Sequence, residues 1–150
     1  MEIEKVLHVG VTKPCLDQSS RSSWLAAVHE CMRVVGGAVT TGIEEPTVGR
    51  NYYRVGVRLR DGVPLAFLLN AAGALVAATA PEDRQSLTTA FVNVPASEVF
   101  SRAGFQVAMP TELDQPVKDE HVQLLPQDER RDVRYHQPDR LGDLLFNWFD

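Results

Sequence analysis

The chain has 150 residues, 44% of them apolar and 23% charged, with a formal net charge of −5. That length suits a single domain burying roughly 68–70% of its unfolded surface, and the mixed composition excludes a disordered or low-complexity chain. The acidic balance argues against a nucleic-acid partner, which would demand clustered Lys and Arg.

In chain order, "IEKVLHVGV" reads as a β-branched-rich opening strand, and Glu2 and Glu4 stand where a secretory leader would be basic, so a cytoplasmic protein is expected. A loop rich in Ser follows, with a helix expected from Ser22 or Ser23. Wound at ~100° per residue, "WLAAVHECMRVV" places Trp24, Val28, Cys31, Met32 and Val35 on one face. Gly36 and Gly37 end it.

The middle of the chain reads as antiparallel sheet: "NYYRVGVRLR", the turn dipeptide Asp61-Gly62, "VPLAFLL", a turn from Asn70 to Gly73, and "ALVAATA". Residues 63–80 carry no charge and are long enough to cross a bilayer. Pro64, Asn70, Gly73 and Thr79 interrupt the run, which argues against a membrane span, and Gly73 and Pro81 favour two strands over one Ala-rich helix from Leu65 to Ala80. Beyond the charged "PEDRQS", "LTTAFVNV" is a further strand, "PASEVFSRAG" a short helix between Pro95 and Gly104, and "FQVAM" a returning strand. The acidic stretch from Thr111 to Asp132 is expected to be loop-rich with one short strand at "HVQLL". Asp139 then caps a terminal helix whose apolar arc of roughly 200°, including Trp148 and Phe149, exceeds the ~100° stripe of a surface helix and predicts burial on most sides.

This order does not alternate regularly. It predicts an α+β fold in one domain, an antiparallel sheet with two to three helices packed on one face, with a small α/β sandwich as the competitor.

Several constellations carry possible chemistry. The strand from Arg50 to Arg60 alternates, setting Tyr53, Val55, Val57 and Leu59 against Arg50, Tyr52, Arg54, Arg58 and Arg60. Such a stripe is either a solvated edge or a binding surface, because guanidinium forks pair with carboxylates and phosphates. Cys15 lies between a strand and a helix start with Lys13 near, features that lower a thiol pKa, yet no His stands at a spacing that names it as the base. His136, near Asp139 and Asp143, is the candidate acid or base at the terminal helix. His29 and Cys31 point apart on a helix and cannot ligate one ion, so no metal and no cofactor is expected. With only Cys15 and Cys31, reduced thiols are expected.

Two functions follow. The first is a non-catalytic cytoplasmic protein-binding module of the immunity or antitoxin kind, with a protein partner, a possible homodimer, and neither nucleic acid nor membrane as target. The alternative is a small thiol enzyme with Cys15 as nucleophile and a distant His, His136, as base.

Overall fold

The computed structural model describes residues 1–81 and 89–149. Leu87 and Thr88, at the start of the expected strand "LTTAFVNV", and most of the charged loop before it lie outside the described residues. The elements in order are α1 (Ile3–Val6), α2 (Gln18–Val35), β1 (Ala38–Val39), β2 (Tyr53–Arg58), β3 (Pro64–Asn70), β4 (Leu75–Thr79) and β5 (Phe91–Val92). They continue with α3 (Ser97–Arg102), β6 (Gln106–Val107), α4 (Pro110–Leu113), α5 (Asp119–Gln123), α6 (Gln127–His136) and α7 (Leu141–Leu145). The mixed α and β character holds, and the six strands form one mostly antiparallel sheet in the order β1-β2-β3-β4-β5. The returning strand β6 pairs with β4 in parallel, Leu75 opposite Gln106.

Residues 63–80 fold as the two strands β3 and β4, with Asn70 opposite Leu75 across the turn. Among the described residues no helix is long and apolar enough to cross a membrane. Because side chains alternate along a strand, Tyr53, Val55, Val57, Phe67, Leu69, Val76 and Ala78 enter one core, with Trp24, Val28, Cys31 and Met32 of α2 and Phe100 of α3. Tyr52, Leu68, Leu75 and Ala77 enter a second core with Val6, Leu113, Val133, Leu144 and Leu145.

Helices therefore cover both faces, not one, and the described residues hold seven rather than two or three. The cause is visible in the strands: Leu68, Leu75 and Ala77 are as apolar as their neighbours in sequence, so the second face also needs cover.

Three further corrections concern short segments whose apolar spacing is helical, and one concerns a helix boundary. The opening strand is instead α1 followed by turns, with the Leu7 amide donating to the Ile3 carbonyl at 2.9 Å and Val6, Leu7 and Val11 in the second core. "HVQLL" is not a strand but the end of α5 and its exit. His121 and Leu125 are buried four residues apart, and the His121 Nδ1 accepts from the Lys118 amide at 3.0 Å. The acidic stretch is helical rather than loop-rich, and α6 buries Glu129 and Val133 at the same spacing. Helix α2 begins earlier than expected, at Gln18, because the Asp17 carboxylate accepts from the Ser20 amide at 2.9 Å. It ends at Gly36, whose φ of 79° is the left-handed closing conformation.

The terminal helix is a single turn and a half. After Leu145 the backbone leaves helical geometry at Phe146, and the Asn147 side chain donates to the carbonyls of Leu144 and Thr12 at 3.0 and 2.8 Å. Leu141, Leu144, Leu145 and Phe146 do close the second core, but Trp148 is 57% exposed where burial was expected.

Candidate functional site

Arg50 and Tyr52 do not face solvent with the other arginines. The loop Thr47–Arg50 closes on itself through reciprocal backbone bonds, and Arg50 pairs laterally with Trp148 in an isolated antiparallel bridge. This draws the Arg50 side chain inward, to 10% exposure, with its Cζ 5.5 Å from the ring centroids of both Tyr52 and Trp148. Its Nη2 donates to the Glu45 carbonyl at 2.6 Å, while the Glu44 carboxylate lies 3.9 Å from Nη1. Tyr52 is buried and meets Phe146 edge-on at 6.0 Å.

Further along β2, Arg54 is half-buried and pairs with Glu44 at 3.1 Å. Thr41 closes over Gly56, where a β-carbon would stand only 2.8 Å from its methyl group. Arg58 and Arg60 are exposed. The alternation holds over β2, Tyr53–Arg58, but the strand is shorter than expected: Arg50 and Tyr52 precede it and are buried, and Arg60 lies in the turn after it, exposed like Arg58.

The two candidate catalytic residues are not brought together. Cys15 packs, partly buried, against the first core. Burial and the nearby Asp17 charge push its thiol up, away from the reactive thiolate. His136 closes α6 and stacks in parallel on Phe149, with centroids 4.4 Å apart, while Tyr135 meets it edge-on. Phe149 packs against the second core, so the sheet separates His136 from Cys15. The other thiol, Cys31, is pushed up to about 11 by burial and donates to the Pro95 carbonyl at 3.0 Å.

Around His136 lies a cavity of about 250 Å³ bordered by Thr89, Asp143, Trp148 and Phe149 among others. Asp143 holds both Arg140 Nε and Nη2, at 2.9 and 2.8 Å, and Arg140 also reaches Asp114 and the Thr89 carbonyl. A larger groove of about 720 Å³ runs between α2 and α3, lined by Ala27, Glu30, Val34, Glu98 and Arg102 among others.

The sequence reading missed the outward aromatic cluster of Tyr135, 80% exposed, with His136, Trp148 and Phe149. Its signal was present in the closing segment, which carries more large apolar residues than a five-residue helix can bury. Asp139 and Asp143, expected beside His136, divide: Asp143 is committed to Arg140, and the backbone carbonyl of Asp139 accepts from Val117. Among the described residues no group of three His, Cys, Asp or Glu side chains could hold a metal ion. No family model, curated protein or solved structure matches the chain.

Proposed function

We propose that the protein is a non-catalytic protein-binding module that works in the cytoplasm, of the kind that neutralises a partner as immunity proteins and antitoxins do. One observation carries this reading: two large aromatic side chains stand exposed, Trp148 against the buried Arg50 and Tyr135 against His136. Trp, Tyr and Arg are the residues that most often dominate interface energetics, through large contact area and directed hydrogen bonds. Arg58 and Arg60 add an exposed basic group on the same chain, which steers a partner with an acidic surface.

The thiol-enzyme alternative has less support, because the Cys15 thiol is pushed up and the sheet stands between it and His136. Alkylation at neutral pH is therefore expected to be slow at Cys15 and slower at Cys31.

The test is capture of a partner by the native chain and by the double variant Tyr135→Ala with Trp148→Ala, with complex mass measured. A partner of fixed stoichiometry that is lost in the variant, at unchanged melting temperature, supports the reading; a complex of two copies makes the partner the chain itself. Equal capture by both proteins places the contact elsewhere and removes the observation on which the proposal rests.

A further inference from the structure

We propose that Arg50 is a carboxylate-recognition group held under the Trp148 ring. A guanidinium taken nine-tenths out of water normally satisfies most of its N–H donors and sits against a carboxylate, because an under-paired buried charge is costly. Arg50 falls short on both counts among the described residues. There its Nε is buried without a partner, only its Nη2 lies within hydrogen-bond distance of an acceptor, and that acceptor is a neutral carbonyl. The nearest described carboxylate, Glu44, forms a long ion pair with it at 3.9 Å and stands closer to Arg54, at 3.1 Å.

The surrounding charges single out the same residue. Among the described residues Glu44 stands closest to Arg54, and Glu45 lies 3.5 Å from the Arg21 Nε without a hydrogen bond there, so three arginines share two glutamates and Arg50 is the most buried of the three. A carboxylate would supply the missing charge and acceptors together, since its two oxygens match adjacent guanidinium N–H groups in parallel. The aromatic rings of Tyr52 and Trp148 beside the guanidinium suit a planar group better than a tetrahedral one. The Tyr52 ring, buried beside the guanidinium, keeps water from that side whether or not the indole covers it, which strengthens the pairing.

Access requires a moving part. Trp148 is the candidate, because its ring lies against Arg50 yet is more than half exposed; its backbone is fixed by the bridge at Arg50 and by the bonds of buried Asn147 to Asn51 and Thr12, so the motion is a rotation of the indole side chain. In this arrangement the indole covers the guanidinium when the site is empty and swings outward when an oxyanion enters.

The inference deepens the proposed contact surface by naming what it recognises, and it rests on that reading. The two still fail separately, because the titration below needs no protein partner. The measurement is the NMR resonance of the Arg50 Nε–H, which burial protects from exchange with water, assigned by its loss in Arg50→Lys. Sodium acetate and a capped glutamyl peptide are titrated at constant ionic strength against sodium chloride, and phosphate is run as a competing anion. The expected result is a saturable shift with acetate, absent with chloride. Trp148→Ala, which removes the cover, should saturate at about tenfold lower acetate. A response to the peptide well below the acetate midpoint identifies a protein side chain as the source, and a response to acetate alone identifies a free carboxylic acid.

Absence of a saturable shift with both carboxylates overturns the proposal, as does tighter saturation by phosphate. An unchanged midpoint in Trp148→Ala overturns the role given to the indole. Because Arg50→Lys must remain folded to serve as the reference, Arg50→Gln is measured beside it; acetate is also expected to change the tryptophan fluorescence of the native chain as the indole moves, and the same saturable change in either folded variant overturns the assignment.

Discussion

The two faces of the sheet are stabilised by different chemistry. Against the first face, α2 and α3 pack a nearly uniform apolar layer in which Phe67 and Phe100 meet at 5.3 Å. Against the second, short helices and turns are joined by buried amides and one buried carboxylate. Asn51 and Asn70 both donate to the carbonyls of Val11 and Leu145, at 2.7 to 3.0 Å. Asn147 reaches the Thr12 carbonyl, and Glu129 accepts from the Gly10 and Thr12 amides and the Thr12 hydroxyl. A long amphipathic helix satisfies its own backbone, so the face beneath it needs only shape and apolar area. Short irregular segments leave backbone groups unpaired, and side chains must supply the partners.

The largest effect is expected on the apolar face. Phe67→Ala should cost about 4 kcal/mol in chemical denaturation, through lost transfer energy and a cavity beneath α3. A loss below about 1 kcal/mol would mean that this layer is loosely packed and the contrast false. Next comes Asn70→Ala, which takes the acceptor from the Gly73 amide and one of two donors from the carbonyls of Val11 and Leu145, which keep Asn51. Unfolding should become easier by about 1–2 kcal/mol, because the amide stays buried without its partner. If Asn70→Leu is as stable as the native chain, apolar packing can replace the amide and the second face does not depend on it.

A smaller gain should appear on both faces. Ala96, which caps α3, and Gln137, which ends α6, have φ of 46° and 50°, where a β-carbon is strained. Replacing either with Gly should stabilise by about 0.5 kcal/mol, since relief of strain outweighs the added freedom of the unfolded chain. The smallest effect is expected at Lys13→Ala. The pair between Lys13 and Asp128 lies at the surface beside the Glu129 network, and exposed ion pairs contribute little. An unchanged melting temperature would show that the buried acceptors, not the neighbouring charge, hold Gly10 to Thr12.

The same contrast explains which parts of the fold could be read in advance. The α2 face with Trp24, Val28, Cys31 and Met32, the Asp61-Gly62 turn, strands β2 to β4 and helix α3 all follow from periods and turn residues a few positions apart. Segments of the second face do not, because their conformation depends on distant partners. Nothing local says that Glu129 will be buried by Gly10 and Thr12, or that Asn147 will stop a helix by reaching the Thr12 carbonyl. The site divides likewise. The alternation of Arg50 to Arg60 was legible, but the inward turn of Arg50 needed Trp148, nearly a hundred residues away, and the distance between Cys15 and His136 needed the whole sheet.

The bonds joining Thr12 to Glu129 and to Asn147 also impose an order of events. During synthesis α2, the strand pairs β2-β3 and β3-β4, and then α3 can assemble from neighbouring sequence, and Val11 can meet Asn51 and Asn70, whereas the bonds of Gly10 and Thr12 to Glu129 and Asn147 must wait for residues more than a hundred positions later. Contacts of such separation are slow to form, since the intervening chain has to be brought into place first. The first core can therefore be complete on the ribosome while Leu68, Leu75 and Ala77 remain uncovered, a window in which their apolar surface is open to aggregation. The last of these contacts to close then join Thr12 to Glu129 and Asn147, and the delay before they close lengthens the time that the second face stays uncovered.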